Sequence, residues 1–218
     1  MFKMSRCILL LSSMSKKNWK THKVNCKNAE VTKKSYEEMG YRTVEEIDAK
    51  LEANRKLAEL GDAIGQYNMG LSYNSGLGVG VDKVEAIKWY RLAAEQGYAK
   101  AQCNLGSAYF NGKCVSVDKV ESVKWFRLAA KQSYAGAQFN LGSVYVTGNG
   151  VSVDKVEAIK WYRLAAEQGY AEAQFNLGAS YLEGNGIDID KAEGMKWIKL
   201  AAKNGCSEAV KIPESHLL

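Results

Sequence analysis

The chain has 218 residues, 46% of them hydrophobic, and a formal net charge of +6. That apolar content excludes a disordered chain, and the single proline, Pro213, excludes a proline-rich linker or ligand. The excess charge lies in residues 1–61, with 13 Lys and Arg against 8 Asp and Glu. Residues 62–218 hold 17 against 16, so they present no net basic field to a phosphate backbone, and no nucleic-acid partner is expected.

In chain order, residues 1–42 read as a basic N-terminal segment. Its longest apolar run, Cys7 to Leu11, is too short for a signal-peptide core or a membrane span, and no other run approaches the ~18 residues a span requires. Five cysteines, at 7, 26, 103, 114 and 206, are odd in number and irregular in spacing. Reduced thiols in an intracellular protein, cytoplasmic or nuclear, are therefore expected rather than a disulfide framework. Thr43 to Leu60 predicts a helix opening at Thr43 with Glu46 three residues on, and residues 43–61 read as a half-repeat that caps the N-terminal end of a repeat array.

Four segments then align without gaps at a period of 36: 62–97, 98–133, 134–169 and 170–205. Gln66, Gln102, Gln138 and Gln174 share a column. Further columns hold Asn68, Asn104, Asn140 and Asn176; Gly70, Gly106, Gly142 and Gly178; and Trp89, Trp125, Trp161 and Trp197. A period of this length marks stacked supersecondary units. The first half of each unit predicts a helix, with Ala101, Leu105, Ala108 and Tyr109 on one face. A glycine inside that helix costs ~1 kcal/mol relative to alanine, so the column implies two helix backbones in close approach. Glycine-bearing turns such as Thr147 to Gly150 end it.

The second helix starts at Asp82, Asp118, Asp154 and Asp190, each with a glutamate three residues later, which predicts capping boxes. Ala158, Trp161, Tyr162 and Ala165 form its apolar stripe, and the tryptophan column reads as core. Gly97, Gly169 and Gly205 close the units. Ser133 replaces that glycine in the second unit, which predicts a strained turn there. Cys206 to Val210 begins a fifth unit that Pro213 interrupts, so residues 206–218 read as a C-terminal cap or tail. The expected fold is all-α, an α/α superhelical solenoid of helix–turn–helix repeats. One hairpin cannot bury its own apolar stripe, so each unit must lean on its neighbours.

Enzymatic chemistry is not expected. Both histidines, His22 and His216, are terminal, so the repeats lack a base for a Ser or Cys nucleophile. The turns Gly76 to Gly80 and Gly148 to Gly150 have neither a preceding strand nor the lysine of a phosphate-binding loop, and capping accounts for the Asp and Glu pairs.

The run Tyr170 to Gly178, then a tyrosine, a Gly-x-Gly turn and Trp-Tyr-Arg-Leu-Ala-Ala-Glu-Gln-Gly, resembles the Sel-one-like repeat, a relative of the tetratricopeptide repeats. The resemblance covers 62–205 and implies an adaptor or scaffold that binds protein partners; neither partner nor oligomeric state comes with it. A regulatory or targeting subunit of an enzyme complex is the alternative, and behind it a β-lactam-binding hydrolase, as in disulfide-rich members of the family. The stretch Trp19 to Cys26 resembles the end of a MYND zinc finger, with Cys7, His22 and Cys26 as the available ligands. Leu10 and Met14 stand where that family places cysteines, and a closed structural zinc site takes four ligands. The expectation is a degraded or truncated finger without zinc, zinc being a cofactor only if the finger is complete in the full gene product.

By analogy with tetratricopeptide stacks, the first helix of each unit lines the concave face. Three rows then become candidates for partner contact: Tyr67, Cys103, Phe139 and Phe175; Leu71, Ser107, Ser143 and Ala179; Asn74, Phe110, Val146 and Leu182. These vary between copies while the framework columns do not, as expected of positions that read a particular ligand. Packing of Phe139 and Phe175 between repeats is the competing reading.

Overall fold

The computed structural model describes residues 43–211, and every element among them is a helix. α1 (Val44–Glu59) precedes four hairpins: α2 (Ala63–Ser75) with α3 (Lys83–Glu95), α4 (Ala99–Asn111) with α5 (Lys119–Lys131), α6 (Ala135–Thr147) with α7 (Lys155–Glu167), and α8 (Ala171–Glu183) with α9 (Lys191–Lys203). A short α10 (Ser207–Val210) comes last. This is the all-α helix–turn–helix repeat fold expected from the period of 36. The chain divides into two compact units, one ending at Trp89 and the other beginning at Tyr90.

In the first unit α1 packs on α2. Thr43 caps α1 with a complete capping box: its side chain accepts from the Glu46 amide, and Glu46 accepts from the Thr43 amide. Leu51 and Ala58 of α1 meet Met69 of α2 in a core flanked by Tyr73, Val79 and Trp89. Gly65 makes this possible, because a Cβ there would lie 2.6 Å from the Leu57 Cβ.

In the second unit the same construction repeats. Ala101, Leu105, Ala137, Leu141, Ala173 and Leu177 are fully buried on the first helices, as are Ala129, Ala158, Ala165 and Ala201 on the second. Trp161 packs against the cluster of Val123, Phe126 and Leu141, and Trp197 against Ile159, Tyr162 and Leu177. The expected close approach is present. A Cβ on Gly142 would sit 2.6 Å from two carbons of the Tyr162 ring and 3.2 Å from the Ala158 carbonyl oxygen. The first helix therefore lies directly on the aromatic side chain and backbone of its partner.

The capping boxes expected at the second helices form by half. Asp82, Asp118, Asp154 and Asp190 each accept from the amide of the glutamate three residues on, at 2.9–3.0 Å. The glutamates turn outward and pair with Lys88, Lys124, Lys160 and Lys196. The aspartate amides they would have reached already donate to the carbonyls of Tyr73, Tyr109, Tyr145 and Tyr181. A backbone bond that closes the turn leaves the reciprocal arm nothing to do.

Among the described residues two non-glycine residues adopt positive φ: Ser133 at 60° and Cys114 at 59°. Ser133 occupies the hairpin-closing site where Gly97, Gly169 and Gly205 have φ of 92°, 86° and 89°. The left-handed region costs an L-residue ~1–2 kcal/mol, so Ser133→Gly is expected to stabilise the chain by about 0.5–1 kcal/mol after the added freedom of the unfolded glycine is deducted. Urea unfolding of the purified pair measures it. Gly142→Ala is expected to act in the opposite sense. Overpacking costs about 1–3 kcal/mol and the helix gains about 1 kcal/mol, so a lowered urea midpoint should result, and an unchanged one would show that the hairpin yields freely at this contact.

Candidate functional site

The first helices of successive repeats leave clefts between them in the second unit. One, of about 280 Å³, is lined by Ser107, Phe110 and Asn111 of α4, Phe126 of α5, Asn140, Ser143, Val144 and Thr147 of α6, and Asn149 of the adjoining turn. The next, of about 260 Å³, is lined by Val146 of α6, Lys155, Ile159 and Tyr162 of α7, Asn176, Ala179, Ser180 and Glu183 of α8, and Asn185. Seven positions of the first cleft (110, 126, 140, 143, 144, 147 and 149) recur in the second at an offset of 36. The cleft is thus a property of the repeat, with side chains changed from copy to copy.

Those changes alter its chemistry. The first cleft has no ionisable lining residue; its polar groups are hydroxyls and amides. Lys119, from the start of α5, lies 3.4 Å above the centre of the Phe110 ring and donates to the Phe110 carbonyl. In the second, the equivalent Lys155 donates instead to Asn185 Oδ1 at 2.9 Å, and Glu183 replaces Thr147. The floors are fixed by hydrogen bonds: the Asn140 amide donates to Cys103 Sγ at 3.5 Å, and Ser143 Oγ lies 3.2 Å from the Tyr162 hydroxyl. Burial pushes the Tyr162 phenol up from its ordinary value.

The three candidate rows separate. Ser107, Phe110 and Ser143 line the first cleft, and Val146 and Ala179 the second. Leu71, Asn74 and Val146 are exposed and Tyr67 is half-buried. Cys103 is buried. Phe139 is half-buried among α7 and α8 residues, its ring 5.9 Å from that of Tyr162 and 5.1 Å from that of Tyr170. Phe175 and Leu182 pack against Ile198, Ala201, Cys206 and Ala209. Both phenylalanines thus make the inter-repeat packing of the competing reading. Sequence reasoning missed the lining roles of Asn140 and Asn176, whose regularity assigned them to the framework. It also missed Asn149, which it read only as part of a turn, and Asn185.

Among the described residues no group of three or more His, Cys, Asp and Glu side chains is placed to hold a metal ion, and no helix is long and apolar enough to cross a membrane. Cys7, His22 and Cys26 lie outside the described residues. Cys103, Cys114 and Cys206 are free thiols.

Hairpins of equal helices, a repeated inter-helix glycine contact and a cleft recurring with the repeat define a helical-repeat protein. The Sel1 repeat matches residues 63–98, 99–134, 135–170 and 171–206, two-thirds of the chain, which therefore belongs to the Sel1 repeat family. Two solved structures are similar to it. A Sel1 repeat protein from Oxalobacter formigenes is 36% identical with a TM-score of 0.73, over 78% of this chain and 70% of that one. A protective antigen present in uropathogenic Escherichia coli strains, displaying an SLR fold, is 42% identical with a TM-score of 0.70 over 73% of this chain. The chain spans about a third of that antigen, 34% of its length. No curated protein matches the chain significantly.

The two thiols of the second repeat should differ sharply in reactivity. Cys103 is held at about 11 by burial, despite the Asn140 amide that acts in the opposite direction. At pH 8 roughly 0.1% of it is thiolate, against roughly a quarter of an ordinary thiol. Cys114 is exposed. Stopped-flow labelling with a disulfide reagent at pH 8 should lose a fast phase in Cys114→Ser and keep it in Cys103→Ser. Cys103 labelling should accelerate as pH rises toward 11, because the thiolate is the reacting form.

Proposed function

We propose that the chain is a non-catalytic adaptor or scaffold that binds a partner polypeptide along the clefts of its first helices, taken as the concave face of the stack. The observation that carries this reading is the recurrence of one cleft at the 36-residue offset with altered side chains. A repeating groove offers a polypeptide regularly spaced subsites, and variation within it lets a particular sequence be read. Membership of a family whose fold is typical of protein-interaction scaffolds supports it. In this reading Ser107, Phe110, Ser143, Val146 and Ala179 make direct contact, and Tyr67, Leu71 and Asn74 are the corresponding candidates of the first unit. Cys103, bonded by Asn140, and Phe139, against Tyr162, support the clefts from beneath, while Phe175 and Leu182 pack in the cluster of Ile198, Ala201, Cys206 and Ala209. Residues 43–61 cap the first repeat, the segment beginning at Cys206 caps the last, and the free thiols fit an intracellular location.

The test uses substitutions that enter the cleft without touching the core clusters. Val146 is 42% exposed and Ala179 half-buried, and both line the second cleft. Co-purification with mass spectrometry identifies a partner. Val146→Glu combined with Ala179→Arg is expected to weaken that partner by about tenfold or more, with Tm unchanged. Undiminished binding by the folded double variant would remove the clefts from the interface.

A further inference from the structure

The chain contains four Asn-Gly dipeptides: 111–112, 149–150, 185–186 and 204–205. Glycine after asparagine leaves its backbone nitrogen unshielded, the arrangement most prone to intramolecular attack on the asparagine amide. The fold treats the four differently. The Gly112 amide donates to the Ala108 carbonyl and the Gly205 amide to the Ala202 carbonyl, so each nitrogen is held within the last turn of a helix. Asn111 Nδ2 is bonded to the Ser107 carbonyl and Asn204 Nδ2 to Gln174 Oε1. Gly150 and Gly186 lie beyond their helices at φ of 84° and 77°, and no hydrogen bond from either amide is present among the described residues.

Asn149 and Asn185 occupy equivalent turns, flanked by glycines of matching φ, and differ in how the side chain is held. Asn185 is fixed at both ends: Nδ2 donates to Glu183 Oε2, and Oδ1 accepts from Lys155. Among the described residues the Asn149 side chain has a single bond, from Nδ2 to Thr147 Oγ1. Its counterpart lysine, Lys119, is engaged at Phe110.

We propose that Asn149 is a site of spontaneous deamidation that converts the uncharged first cleft into a carboxylate-bearing one. The Gly150 amide nitrogen loses its proton and attacks Asn149 Cγ. The N–Cγ bond forms, the Cγ–Nδ2 bond breaks, and the amide nitrogen leaves as ammonia. Water then adds to either carbonyl of the cyclic imide, giving aspartate or isoaspartate at 149 with no change in oxidation state. Asn149 lines a cleft with no ionisable residue, so the product introduces the only carboxylate in that lining. It also replaces the donor that held Thr147 Oγ1 with an acceptor.

The proposal does not depend on partner binding, and mass spectrometry tests it on the full chain. The protein is incubated at pH 8 and 37 °C, digested at intervals, and the peptides monitored for exchange of an amide NH2 for OH. A parallel sample is held in urea. In the folded chain the Asn149 peptide is expected to convert first. Asn185 should convert about fivefold more slowly, and Asn111 and Asn204 about five- to tenfold more slowly, the factors set by the hydrogen bonds that must open. In urea the four rates should converge. Conversion of Asn111 or Asn204 ahead of Asn149 in the folded chain would overturn the proposal. So would a folded chain in which Asn149 stays intact while the unfolded chain reacts, or a ranking that urea leaves unchanged.

Discussion

A helix ends with carbonyl groups that have no partner in their own turn, and once the end is buried something must reach them. Here a buried glutamine does so in each repeat of the second unit. Gln102 donates to the Ala94 carbonyl at the end of α3, Gln138 to that of Ala130 at the end of α5, and Gln174 to that of Ala166 at the end of α7. Each glutamine oxygen then accepts from the end of the second helix of its own repeat, from Gln132, Gln168 and Asn204. One side chain thus bonds to helices on both sides of it, and these bonds run as a ladder through a region otherwise filled by alanine. Glutamine is 1–4% exposed at 174, 138 and 102, where an unpaired amide would be costly. These bonds tie each first helix to the ends of the second helices on either side and so hold the register of the stack.

Much of this was legible in the residues. The columns of Gly142 and Trp161 identified the hairpin and its contact, because a repeated cost inside a helix demands a repeated compensation. Ser133 was legible as strain because its three counterparts are glycine. The glutamine column was visible but its meaning was not: its partners are main-chain carbonyls, which carry no sequence signature. The glutamate arms of the capping boxes were misread for the same reason, since a tyrosine carbonyl had already taken the aspartate amide.

The site was less legible than the fold. Helical periodicity assigns a residue to a face, and on that basis the three rows were drawn. It does not say how deep each residue lies. Phe139 and Phe175 share a row with Tyr67, yet both rings are drawn into inter-repeat packing by the small residues around them. Asn140 and Asn176 looked like framework because they never vary, although a cleft needs fixed residues in its floor as well as variable ones on its walls.

Cys114 and Ser133, both at positive φ, belong to the same repeat, and so does Ser122, whose wholly buried hydroxyl finds no partner among the described residues. In a linear array the stability of each unit adds to that of its interfaces. Three unfavourable features concentrated in α4, α5 and their turns make this hairpin a seam in the array. Thermal opening would begin there ahead of the better-formed α6–α7 hairpin, so a binding surface that crosses the seam is one whose halves can part without unfolding the remainder.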